Sequence, residues 1–274
     1  MDDLLRARPP VSLADIDTRA TPGFDGDKVA GEQALAAGAD ELSQLQERLF
    51  AASRAGDERR ILLVLQAMDT AGKGGILRHV VGAVDPQGVA IAAFKKPTPE
   101  ERAEHFLARI ERRLPGPGMI GVFDRSHYED VLIARVRELA PADEIERRYG
   151  EIRDFERRVV DSGTRIVKVM LHISPDEQKQ RLQERLDRPD KHWKYNPGDV
   201  DERMLWPQYM QAYERAIAET DADHAPWFVV PADRKWFARL AVQHLLLNEL
   251  RALDPQWPAA DFDVEAEKVR LAAS

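Results

Sequence analysis

Apolar runs alternating with amphipathic stretches set the rhythm of the chain. Residues 61–68, ILLVLQAM, form an apolar run broken only by Gln66, which predicts a strand buried on both faces. Residues 74–84 read as the helix that follows, and residues 88–94 as a second strand. Residues 99–114 predict a long helix with acids in its first turn and arginines near its last, matching the macrodipole. A third strand is expected at 118–125, a charged amphipathic helix at 143–163, a fourth strand at 165–174 and a fifth at 225–232. Strands alternating with helices predict an α/β fold with a five-stranded parallel sheet and right-handed crossovers.

Other stretches frame this alternation. Leu42, Leu45 and Leu49 recur at helical spacing, so residues 39–55 predict a helix packed on the core. Residues 1–36 are rich in Pro, Gly and Asp without sustained period and read as an irregular arm. A domain over 37–255 follows, with a tail over 256–274. Residues 175–220 interrupt the alternation with two helices joined by a Pro/Gly/Trp loop. Such an insertion before the last strand predicts a lid.

Composition narrows the class. The 274 residues are 43% hydrophobic, enough for a large core, and contain no Cys, which excludes disulfides and thiolate metal sites. The N-terminus MDDLLRARPP is too charged for a signal peptide, and no apolar run approaches a membrane span. A cytoplasmic protein without membrane partners is expected. The net charge of −8 argues against nucleic acid as a partner but allows a polyanionic substrate at a local basic patch.

Candidate chemistry begins at residues 66–75, QAMDTAGKGG. A strand, this stretch and a helix make the context of a phosphate-binding loop, G-x-x-x-x-G-K-[ST]. Gly72, Gly74 and Gly75 let backbone N–H groups approach a phosphate, and Lys73 adds a point charge. The pattern is broken by Ala67 at the first glycine, by Gly74 at the hydroxyl position and by an acid, Asp69, within the loop. A bare Gly-rich turn is the alternative. Asp124 ends the third strand, where phosphate-loop proteins carry a Mg²⁺-binding acid; a helix N-cap is its alternative. Asp69 can replace the missing hydroxyl as a hard-oxygen ligand or act merely as a turn former. In residues 179–194, Lys179, Arg181, Arg185, Arg188, Lys191 and Lys194 face three acids. Arg181, Arg185 and Arg188 share a helix face suited to a chain of phosphates, or to solvent. The histidines show no ligand spacing.

Four stretches together carry a resemblance: LLVLQAMDTAGKGG, DPQGVAIAAFKKPTPEE, FDRSHYEDVLIARV and TDADHAPWFVVPADRKWFARLAV. From about residue 40 to 250 the chain resembles the polyphosphate kinase 2 family, polyphosphate:nucleotide phosphotransferases, in the subgroup with RSHYEDVL. The resemblance implies a thymidylate-kinase-like, three-layer P-loop kinase fold with a helical lid. It implies Mg²⁺-dependent (Mn²⁺ is a possible substitute) transfer of a terminal phosphate from inorganic polyphosphate to AMP or ADP, reversibly with ATP, in a homo-oligomer, dimer or tetramer. By position, Asp69 and Asp124 match the metal-organising acids, Lys73 the loop lysine, Arg125 the arginine beside the second acid and Arg135 an arginine common to motif variants. Arg78 and Glu129 are placed near the substrates, and Arg181, Arg185, Arg188 and Lys191 by lid region. Ala67 and Ala108 depart from the family pattern, which more often has Gly and Trp there. Competing readings are an ATP-dependent nucleoside monophosphate kinase, against which Gly74 speaks, and a non-catalytic nucleotide- or polyphosphate-binding regulator.

Overall fold

A computed structural model describes residues 1–274. In chain order it contains α1 (Asp2–Leu5), α2 (Lys28–Arg54), β1 (Arg60–Ala67), α3 (Lys73–His79), β2 (Val89–Ala93), α4 (Pro99–Ala103), α5 (Ala108–Glu111) and β3 (Ile120–Asp124). Then come α6 (Ile133–Val136), α7 (Ala142–Asp161), β4 (Thr164–His172), α8 (Pro175–Asp187), α9 (Gly198–Arg203), α10 (Trp206–Thr220), β5 (Trp227–Pro231), α11 (Lys235–Leu253) and α12 (Val264–Ala272). The five strands form one parallel sheet in the order β2-β3-β1-β4-β5.

The central place of β1 explains its composition. It pairs with β3 on one side and β4 on the other, and only Arg60 escapes full burial. A strand covered on both faces has no polar face to present, so the period of two disappears. Edge strand β2 is half-exposed, with Ile91 facing solvent. The other edge is covered: Ala7 N–H donates to Trp227 O (2.8 Å) and Arg6 bridges antiparallel to Phe228, so the arm closes β5. Helices α2 and α3 each pack on α11, and α7 packs with α10 and β4, making the outer layers. The order sets the carboxyl ends of β1, β3 and β4 side by side, where open α/β sheets bind ligands. No helix is long and apolar enough to cross a membrane.

Three sequence expectations need correction. The helix expected over 39–55 starts at Lys28, capped by Asp27, whose carboxylate accepts from Ala30 N–H (2.9 Å). Its first turns are Ala- and Gly-rich because they lie against α11: a Cβ on Gly31 would stand 2.3 Å from the Trp236 ring. Small contact residues leave no apolar stripe to read. The long helix expected over 99–114 is broken. A capping box of Thr98 and Glu101 starts α4, but the chain turns extended at Glu104 and resumes as α5. The break lets Leu107 and Ile110 enter the core and turns Arg109 to donate to Lys95 O (2.9 Å). Finally, α11 is absent from the sequence expectations although twelve of its residues are buried. The stretch 175–220 is helical as expected, with α9 and a 3₁₀ turn over Pro189–Lys194 between α8 and α10.

Candidate active site

The loop between β1 and α3 turns on two unusual backbone positions. Thr70 has φ +66° and Gly72 φ +125°. A β-branched residue in the left-handed region is a strained conformation that surrounding contacts must hold. Gln178 on α8 supplies one contact, donating from Nε2 to Asp69 O at 3.1 Å. Arg181 supplies the rest. Its Nη1 donates to Thr70 O (3.0 Å) and Ala71 O (2.9 Å), its Nη2 to Ala232 O (2.7 Å) and Asp233 O (2.9 Å), and its Nε to Glu177 (2.8 Å). In front of the loop the N–H groups of Gly72, Lys73 and Gly74 meet no acceptor in the protein. A Cβ on Gly74 would meet nothing within 4 Å, so the missing hydroxyl leaves open space. Ala67, the departure from the loop pattern, is a strand residue outside the positive-φ set, and its methyl costs no strain.

The two acids meet at this loop from adjacent strands. Asp124 ends β3 and stands in register with Leu65 of β1. The next residue, Arg125, has φ +63°, donates its N–H to Leu65 O (3.0 Å) and sends Nη2 to Asp69 Oδ1 (2.9 Å). Each acid is therefore followed by a left-handed residue that swings the chain away. Burial works against the Arg125 cation, but Glu129 and Asp69 outweigh it and hold its pKa above the ordinary value. Burial pushes the Glu129 carboxyl up, opposed by Arg125 and Lys73. Gln66, with its amide turned to satisfy both ends, donates to Glu129 at 3.0 Å.

Two clefts flank the Asp69–Arg125 pair. The larger, about 670 Å³, is lined by the loop, Arg78, Asp124, Arg185, Arg188 and Lys191 and by lysines and arginines from β2's end, the lid and α11. Eleven basic residues line it against three acids, Asp69, Asp124 and Glu184, in a protein whose net charge is −8. The smaller, about 200 Å³, contains Asp69, Arg125, Glu129, Asp199, Tyr209 and Tyr213. There burial and the nearby Asp69 push the Asp199 carboxyl up to about 6. The sequence reading missed Lys95, Lys235 and Arg239 in the first cleft and Gln178 behind the loop. Only the proximity of α11, invisible in a sequence, brings Lys235 and Arg239 there.

Two expected substrate-binding residues have no donor turned to a substrate: Arg181 lines the larger cleft with every donor used, and Arg135 lies outside both clefts. All five N–H donors of Arg181 are taken by protein acceptors and its side chain is 4% exposed, so it props the loop rather than meeting a ligand. Arg135, on the short α6, pairs with Glu146 of α7 and reaches Tyr149 OH (3.5 Å), outside both clefts. Arg181→Gln is expected to lower stability by about 2 kcal/mol, because several buried carbonyls lose their donor. With the loop loosened, kcat should fall about tenfold. Thermal unfolding with initial rates checks this, and a fully active variant of unchanged stability would refute the strut.

The acids form a hard-oxygen donor set. Asp124's carboxylate has no protein partner, and Asp69 keeps Oδ2 free while Oδ1 accepts from Arg125. Mg²⁺ takes one or two carboxylates and completes its shell with phosphate and water oxygens, so these two acids beside a phosphate loop fit it. No cluster of three or more potential ligand side chains exists, and this mode of binding needs none.

Comparison with known proteins agrees with this geometry. The family model described as Polyphosphate kinase 2 (PPK2) matches residues 25–258. A Meiothermus ruber protein named AMP/ADP-polyphosphate phosphotransferase is 46% identical over 246 residues, 90% of this chain and 91% of its own. A Rhodopseudomonas palustris ADP-polyphosphate phosphotransferase is 40% identical over 260 residues, 90% of this chain and 88% of its own. The crystal structure of polyphosphate kinase 2 from Arthrobacter aurescens TC1 superimposes with a TM-score of 0.97 at 57% identity, over 99% of this chain and 96% of that one. With loop, acids, sheet order and sequence in agreement over nearly its full length, the chain belongs to the polyphosphate kinase 2 family.

Proposed function

We propose that the protein transfers the terminal phosphoryl group of inorganic polyphosphate to AMP or ADP, reversibly, with Mg²⁺ or in its place Mn²⁺. The observation that carries this reading is the pair of clefts meeting at Asp69 and Arg125, one strongly basic and open, the other small and partly aromatic. Polyphosphate takes the first and the nucleotide the second. An oxygen of the nucleotide's terminal phosphate attacks the terminal phosphorus of the chain in line. The P–O bond to the penultimate phosphate breaks, and the shortened chain leaves with that electron pair.

No general base is needed, since the attacking oxygen is already ionised near neutral pH. Lys73, Arg125 and the loop N–H groups hold the transferring group and offset its charge, which supplies most of the rate in phosphoryl transfer. Asp69 and Asp124 would hold Mg²⁺, which would add positive charge at the phosphate oxygens. The smaller cleft orients the acceptor between Tyr209, Tyr213 and Glu129.

The test incubates the protein with Mg²⁺, AMP or ADP, and either polyphosphate or ATP, and follows product nucleotides. Polyphosphate-dependent ADP or ATP formation is expected. Transfer from ATP alone would favour a nucleoside monophosphate kinase, and absence of turnover a binding regulator. The reading extends to a cytoplasmic homo-oligomer, a dimer or tetramer. The exposed Trp257, Phe262, Val264, Val269 and Leu271 of the C-terminal segment support self-association.

A further inference from the structure

The basic residues of the larger cleft are not equivalent. Most of those on the lid already have protein partners, Lys194 excepted, whose ammonium has only the Trp193 ring at 4.8 Å. Arg188 is clasped by Asp190 through Nε and Nη2 (3.1 and 2.9 Å), Lys191 pairs with the same Asp190 (3.3 Å), and Arg185 is held by Lys194 O and Asp199. On the opposite wall, Arg78 of α3 and Arg239 of α11 make no ion pair or side-chain hydrogen bond, and Lys235 has only Glu184 at 3.8 Å. Lys235 and Arg239, four apart, share one face of α11. Arg239 touches the loop: a Cβ on Gly75 would lie 3.5 Å from both its Nε and its Nη2. The groups crowd one another. Burial first, then Arg181 and Arg78, lowers the Arg239 pKa, and burial with Arg239 and Arg78 lowers that of His79. Beyond Lys235 and Arg239 a further cleft of about 340 Å³ continues along α11, where Lys28 and Arg234 are mixed with Glu32, Glu177 and Asp233. Unpaired cations held this close are unfavourable until an anion joins them.

We propose that the distal phosphates of the donor run along this α3–α11 wall, over Arg78, Arg239 and Lys235, and that this track makes the enzyme sensitive to donor chain length. The proposal rests on the polyphosphate reading above and replaces the lid as the place of the long chain. A short donor such as tripolyphosphate ends near the loop and meets only the near end of the track, where Arg239 touches the loop. A long chain meets all of it.

The test compares KM for tripolyphosphate and for long-chain polyphosphate in the unaltered protein, in Arg78→Gln/Arg239→Gln and in Arg188→Gln/Lys191→Gln. For the track variant, KM for the long chain is expected to rise at least about tenfold more than KM for tripolyphosphate, from two lost charge-assisted contacts. The lid variant is expected to change both donors by the same factor. An unchanged long-to-short ratio in the track variant, or a larger change from the lid pair, overturns the proposal. Lys235→Gln, at an exposed position, repeats the comparison should loss of Arg239 unfold the protein. If the unaltered protein uses ATP and neither polyphosphate, the phosphotransferase reading itself fails and the track with it, a result separate from the ratio.

Discussion

Asp69→Asn is expected to reduce phosphoryl transfer about 10³-fold or more, equivalent to about 4 kcal/mol of lost transition-state stabilisation. The fold should hardly notice. Asp69 is partly exposed and its one side-chain partner is Arg125, a pair worth about 1 kcal/mol or less, and the Asn oxygen still accepts that bond at Oδ1. The loop conformation does not depend on the carboxylate, because Gln178 and Arg181 hold backbone oxygens. What disappears is a negative charge placed where no hydroxyl follows Lys73, so on the proposed reading Mg²⁺ would keep only one of its two carboxylates, Asp124. Asp124→Asn should match it in rate and cost still less stability, since that carboxylate has no protein partner. Initial rates over a Mg²⁺ series, with thermal unfolding, test both. An Asp69→Asn enzyme within tenfold of the unaltered rate, at the same Mg²⁺ requirement, would remove the metal-holding role.

How far the sequence revealed this site depends on how local each feature is. The strand–loop–helix around Lys73 and the acid ending β3 are contiguous in sequence, and both were legible. So was the burial of β1 on both faces, because that leaves residues 61–65 without a polar side chain. Function of the lid arginines was not legible. Arg181, Arg185 and Arg188 look alike on a helical wheel, yet one is buried under five acceptors, one is shared with Asp199 and one is clasped by Asp190. Which neighbour neutralises a charge is a tertiary fact. The same holds for Arg135, whose partner Glu146 lies on another helix, and for Arg239, which reaches the loop only because α11 packs beside α3. Helix α11 escaped because it is buried nearly all round, which removes the stripe that marks a half-exposed helix.

One buried charge in the core was equally unmarked, and replacing it should cost the most stability. Lys168, in the middle of β4, is fully buried and spends its three donors on Glu156 (2.6 Å), Tyr128 OH (3.0 Å) and Thr220 O (2.8 Å). Its ammonium also faces the Tyr128 and Trp227 rings at 5.5 and 5.3 Å. Glu156 in turn accepts from Tyr128 OH (2.8 Å) and is within 3.2 Å of His127 Nε2. Burial disfavours the charge on both members; it lowers the Lys168 pKa, while Lys168 and His127 overcome it to hold Glu156 below its usual value. Lys168→Met strands the Glu156 carboxylate in the core, and a loss of about 3–5 kcal/mol is expected. Removing the second charge as well, in Lys168→Met/Glu156→Gln, should recover much of that loss, since no uncompensated ion remains. Denaturant unfolding of the two single variants and the double completes the cycle. A Lys168→Met protein within about 1 kcal/mol of the original, or strictly additive costs, would mean that the pair is not ionised together. The position of the network gives the pair a second consequence. Tyr128 lies three residues beyond Arg125, and Thr220 ends the last lid helix, so the ion pair ties the segment carrying the site arginine to the point where the lid rejoins the sheet. In the double variant, stability should therefore return further than activity does.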